Sequence, residues 1–117
     1  MQLPPLAVAS MRSATVLDVS DGCIQDFPPN FSDLRCLNIL FASNNNLTRA
    51  PHVGALPSLS MMAFRGNRMV ELSSAALPKL LRWLILTDNM IERLPHEIGP
   101  SLVIFPSPNV STDTFTS

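Results

Sequence analysis

Few side chains in this sequence could carry chemistry. His52 and His96 are its two histidines, and Cys23 and Cys36 its two cysteines. A zinc site gathers such residues in close pairs. Here the histidines stand 44 residues apart, and the cysteines lie apart from both. No metal is expected, and both histidines read as surface residues after Pro51 and Pro95. Nucleophilic and phosphate chemistry would need a GxSxG elbow, a GxxxxGK[ST] loop or an HExxH helix. None occurs. Asp18, Asp21 and Asp88 are carboxylates near the predicted strands, and they read as solvated rim charges rather than a cation site. The expectation is a protein without catalysis and without a cofactor.

The spacing that stands out belongs to amides and apolar side chains. Asn45, Asn67 and Asn89 are each 22 residues apart, and Gly22 lies 23 before Asn45. Five residues before these anchors stand Leu17, Leu40, Met62 and Leu84. Three before them stand Val19, Ala42, Phe64 and Leu86. Two after them come Ile24, Leu47, Met69 and Ile91, and five after them Phe27, Ala50, Leu72 and Leu94. Pro28, Pro51 and Pro95 close three of the units, with Ser73 in the other. These offsets do not fit a 3.6-residue helix. They predict a short strand, a turn and an irregular return, repeated, with strand cores at 17–19, 40–42, 62–64 and 84–86.

One such unit cannot bury its own apolar side, and stacking joins those sides into a continuous core. The strands then align in parallel, and each return segment supplies the crossover. The turns lie buried between neighbours, so their backbone groups need partners. An Asn amide offers two donors and an acceptor, enough to bridge adjacent units. Asn45, Asn67 and Asn89 are therefore expected to form a structural ladder that Gly22 cannot extend.

The segments LNILFASNNNLTRAP, LSMMAFRGNRMVEL and LRWLILTDNMIERLPHEIG resemble leucine-rich repeats of the pattern LxxLxLxxNxLxxLP. The resemblance covers about residues 14–99. It departs from the pattern at Gly22 and Ser73, and Leu80 and Leu81 compete for one apolar position. The period and the LPxxIG ending are similar to the intracellular class found in Ras-pathway scaffolds and plant resistance proteins. LRWLILTDN also looks like the repeat part of repeat-plus-kinase proteins, although no kinase motif is present. The resemblance implies an α/β-class fold: a short solenoid of about four units with a parallel concave sheet and little regular helix. It also implies a protein-binding, scaffold or signalling role. The alternatives are a regulatory repeat region cut from a larger repeat-plus-kinase protein, and a secreted recognition domain.

Alternation along the strands turns a second set of residues to the opposite face. Val16, Ile39, Met61 and Trp83 form one column, and Asp18, Phe41, Ala63 and Ile85 the next. Ser20, Ser43, Arg65 and Thr87 follow, then Asp21, Asn44, Gly66 and Asp88. A half-solvated sheet should be polar there. Instead Ile39, Phe41, Met61, Ala63, Trp83 and Ile85 predict a contiguous apolar patch with Arg65 at its edge. These seven residues are the expected partner-binding surface.

Composition agrees with one domain. The chain has 117 residues, 46% apolar and 15% charged, with a net charge of −1. No basic stripe awaits nucleic acid, and no apolar run is long enough to span a membrane. Residues 1–13 read as a lead segment. Residues 100–117 read as a Pro/Ser/Thr-rich tail, flexible or folded over the last unit through Leu102, Val103, Ile104 and Phe105. Without polar caps, the stack would bare Ile91, Leu94 and Ile98 and favour self-association. The N-terminus lacks the basic start of a signal peptide. Two cysteines are too few for a disulfide framework. Of the three N-x-S/T triplets at Asn30, Asn46 and Asn109, composition alone accounts for roughly one. The expected location is cytoplasmic.

Overall fold

The computed structural model describes residues 10–91 and 102–105. Five strands of three residues form one parallel sheet in the order β1-β2-β3-β4-β5. They are β1 Val16–Asp18, β2 Ile39–Phe41, β3 Met61–Ala63, β4 Trp83–Ile85 and β5 Val103–Phe105. Among the described residues the helical elements are two short 3₁₀ turns, Pro29–Asp33 and Ser74–Ala76. The first begins on Pro29 after an extended Pro28, a position where a missing N–H costs nothing. The coarse expectation of an α/β fold with a parallel sheet and little helix agrees with this architecture.

Each strand starts and stops one residue earlier than the sequence suggests. The residues after the strands still pair, since the Val19, Ala42 and Phe64 amides donate to Phe41, Ala63 and Ile85. The chain then turns, so strand geometry ends while the hydrogen-bond ladder runs on. The register sets Leu17 beside Leu40, Leu40 beside Met62, Met62 beside Leu84, and Leu84 beside Ile104.

The turns follow one design. Asp21, Asn44, Gly66 and Asp88 occupy matching steps past their strands and take φ of 60°, 56°, 74° and 59°. Asn and Asp tolerate this left-handed geometry better than other side chains do, and Gly adopts it freely. A Cβ on Gly66 would also come within 2.4 Å of the Asn44 Oδ1.

Beneath the sheet lies the core. Leu40, Met62 and Leu84 are fully enclosed, as are Ala42, Phe64 and Leu86. The return segments close it with Phe31, Leu34, Leu37, Leu47, Val53 and Leu59. Small Ala42 and large Phe64 share one column and are both sealed. Leu81 is buried at 4% exposure, whereas Leu80 is 66% exposed. Leu81 therefore continues the column of Leu37 and Leu59, and Leu80 is the inserted residue.

Beyond β4 the structure differs from the expected bare end. Ile91 is fully buried. Val103–Phe105 lies beside β4 as a further strand, and Leu102 and Ile104 pack partly buried against the core. Only twenty residues separate Leu84 from its partner Ile104. This strand therefore falls outside the 22-residue spacing. Leu94 and Ile98 lie outside the described residues.

Candidate functional site

The asparagines occupy the turn side of the core. Asn45, Asn67 and Asn89 are 6%, 7% and 3% exposed. In Asn67, Oδ1 accepts from the Asn45 and Leu47 amides of the preceding segment, at 3.2 and 3.1 Å. Its Nδ2 donates to the Ala42 carbonyl at 3.0 Å and to its own segment's Phe64 carbonyl at 2.8 Å. Asn89 repeats the arrangement, accepting from Met69 N–H at 3.0 Å and donating to the Phe64 and Leu86 carbonyls. Asn45 reaches Ile24 N–H and the Val19 carbonyl in the same manner. Each amide thus binds backbone of two neighbouring segments. At Gly22 the series stops, and the Asn45 Oδ1 would stand 3.0 Å from any Cβ placed there.

These turns hold the other face of the sheet in place. Val16 and Val103 are 52% and 43% exposed, and Trp83 is 44% exposed. Ile39, Phe41, Met61 and Ile85 are half-buried. The register brings Ile39, Met61 and Trp83 into one row and Phe41, Ala63 and Ile85 into the next. One expected surface residue needs correction. Ala63 is 4% exposed, because its single methyl lies between the larger Phe41 and Ile85. It is a spacer beneath the patch rather than part of its contact surface.

Polar groups border this apolar band. Asp18 Oδ1 accepts from the Ser20 N–H at 2.9 Å. That bond and one from the Ser20 side chain hold the Asp18 carboxyl below the usual carboxylate range. Asn44 Nδ2 donates to Asp21 Oδ1 at 2.8 Å. Arg65 reaches Asp88 through Nε at 3.5 Å, in an exposed ion pair. The expected edge cation is therefore tied to a neighbouring acid. The other carboxylates of this border are Asp18, at the end of β1, and Asp21, in the turn that follows it.

Two concavities lie away from this face. One, of about 400 Å³, is lined by Asp26, Phe27, Pro28, Phe31, Arg49 and His52, among others. The Phe27 and Phe31 rings meet at 4.6 Å, and Arg49 Nη2 donates to Asp26 Oδ2 at 3.0 Å. Burial pushes the Asp26 carboxyl up. Hydrogen bonds from Arg49 and the Phe27 N–H, with the nearby charges of Arg49 and His52, outweigh it and leave the carboxyl low. The second, of about 650 Å³, runs over Gly54, Ala55, Leu56, Pro57, Lys79 and Leu80. Sequence reasoning did not single out either one. Opposite charges at matching offsets, Asp26 and Arg49, were the available signal for the first.

Cys23 and Cys36 are exposed free thiols. Among the described residues no three His, Cys, Asp or Glu side chains gather around a common point. His52 is exposed, and His96 lies outside the described residues. Among those residues no helix is long and apolar enough to cross a membrane. The geometry offers an apolar platform with a charged border.

No family model matches this chain. Over 67 residues it is 37% identical to the geranylgeranyl transferase type-2 subunit alpha of Rattus norvegicus. That match covers 57% of this chain and 12% of the rat subunit, so the chain spans a small part of the curated relative.

Proposed function

We propose that this chain is a leucine-rich repeat solenoid of about four units that binds a protein partner through the concave side of its sheet, without catalysis. One observation carries the reading: the open face of β2, β3 and β4 is apolar where solvent would favour polar residues. Ile39, Phe41, Met61, Trp83 and Ile85 form that band, and each retains exposure. A monomer seldom keeps such a band without a use for it. Trp and Met are also enriched at interface centres. The repeat reading is supported by the pairing offsets of β1 to β4 and by the shared bonding of Asn45, Asn67 and Asn89. A cytoplasmic, scaffold-like role goes with this reading.

The test is proximity labelling in the source cell with the parent chain and the Trp83→Asp variant. The variant should keep its melting transition and lose a defined set of labelled neighbours. An unchanged set from a folded variant removes the concave face from the function. Loss of folding would make Trp83 part of the core.

A further inference from the structure

The rim of the open face is electrically lopsided. Arg65 is spent on Asp88, which leaves Asp18 and Asp21 as the acidic corner at β1. Each of these carboxylates uses Oδ1 for an internal hydrogen bond, to Ser20 N–H and to Asn44 Nδ2. Both are therefore held in place, and each has a second oxygen. The apolar row begins at Val16 on the same strand, runs through Ile39 and Met61 to Trp83 on β4, and ends at Val103 on β5. Three strand spacings across and two residues along put Trp83 roughly 16 Å from Asp18. A ligand that satisfies both ends carries a cation at one end and apolar side chains along the rest. From this we infer that the concave face takes a basic amphipathic peptide segment of another protein, whose Lys or Arg meets Asp18 and Asp21 while its apolar side chains cover Phe41, Met61, Trp83 and Ile85. The inference rests on the concave-face reading above and adds the partner's chemistry.

Two of the chain's own segments, residues 1–9 and 106–117, match this surface poorly. Residues 1–9 and 106–117 contain no Lys or Arg, and the latter adds Asp113. Apolar side chains they have, but nothing for the acidic corner. A basic foreign segment fits better than either of these two on charge alone.

The experiment selects binders from a phage-displayed random peptide library against the full chain. The peptides obtained are then titrated by fluorescence anisotropy. Three variants are compared: Asp18→Asn with Asp21→Asn, Met61→Glu, and Trp83→Ala as a milder second probe of the band. Melting curves establish that each is folded. The expected peptides combine Lys or Arg with large apolar residues. Their affinity should fall roughly three- to ten-fold in the double Asn variant, and its salt dependence should flatten. Met61→Glu or Trp83→Ala should weaken it further. Peptides lost with Met61→Glu or Trp83→Ala but lacking basic residues, and indifferent to the Asn changes, would overturn the charge inference and leave concave binding intact. Peptides indifferent to every variant, or no peptides at all, would overturn both. Competition by a synthetic peptide of residues 106–117 would name the chain's own tail as occupant and overturn the inference.

Discussion

The first segment and the interior segments are built on one plan and packed to different degrees. Between β2 and β4, leucines are sealed and an asparagine joins each turn to the one before. At β1 the column is looser. Leu17 keeps 8% exposure where Leu40, Met62 and Leu84 keep none, and Gly22 stands where the asparagine would. Side chains at the surface compensate. Ser43 N–H donates to Ser20 Oγ, Asn44 to Asp21, and Arg49 to Asp26. Burial is tightest in the middle; at the edge the Asn45 amide still ties the first turn to the second, and exposed polar clamps add to it. With Leu17 less deeply buried and the clamps screened by solvent, the first segment should open before the rest.

The widest gap between the regions should appear in matched truncations. Leu40→Ala removes a sealed side chain with neighbours on both sides, and about 3–5 kcal/mol of stability should be lost. Leu17→Ala removes its counterpart at the edge, where the surroundings can close in, and about 2 kcal/mol should be lost. Urea unfolding of both variants measures this. Equal losses would mean that β1 is as well packed as the middle.

Next in size are the amides. Asn67→Ala leaves the Asn45 and Leu47 N–H groups and two buried carbonyls without that partner, at a cost of roughly 1–3 kcal/mol. Gly22→Ala should change stability by well under that. Its gain in chain stiffness is offset by the 3.0 Å approach of Asn45 Oδ1. Hydrogen exchange sharpens the point: in the parent protein, the Met69 amide should be protected longer than the Asp21 amide, although both are hydrogen-bonded.

A smaller effect concerns the turns. Gly66→Ala forces a methyl into φ 74° and toward Asn44 Oδ1. The clash involves the tip of a movable side chain, so the backbone conformation dominates, at about 1–2 kcal/mol. Adding Asn44→Ala should recover only a minor share, as a melting series would show. Full recovery would make the contact, not the φ, the source of strain.

Much of this architecture was legible because it repeats. Leu17, Leu40, Met62 and Leu84 declare themselves by occurring at equal distances, and the asparagines mark the turns between them. Where a position has no counterpart, the signal fails. Leu80 and Leu81 are alike in chemistry, and only packing shows that Leu81 goes inward. Ala63 follows the outward alternation, yet its size lets Phe41 and Ile85 cover it. The last strand departs from the period; its apolar run Leu102–Phe105 marked a segment able to cover the last unit, but nothing in the spacing gave its register with β4. The Asp26–Arg49 clamp was less legible, because an exposed charged pair leaves no apolar column to mark it.

That clamp gives the finest measure of how the edge differs from the middle. Asp26 has a lowered folded pKa, despite burial that opposes it, because Arg49, the Phe27 N–H and His52 favour the anion. A depressed carboxylate contributes stability above its unfolded pKa and loses it as pH falls through the folded value. The contribution is therefore intact at neutral pH and fades from just above the ordinary carboxylate range downward. With side-chain exposures of 63% for Arg49 and 36% for Asp26, screening keeps it below about 1 kcal/mol. Melting curves of the parent and Asp26→Asn should differ near pH 7 and converge at acid pH, with the difference shrinking in high salt. The Met69 amide should exchange alike in both, since the loss is confined to the first segment. A gap that persists at acid pH would assign the stabilisation to something other than the Asp26 charge.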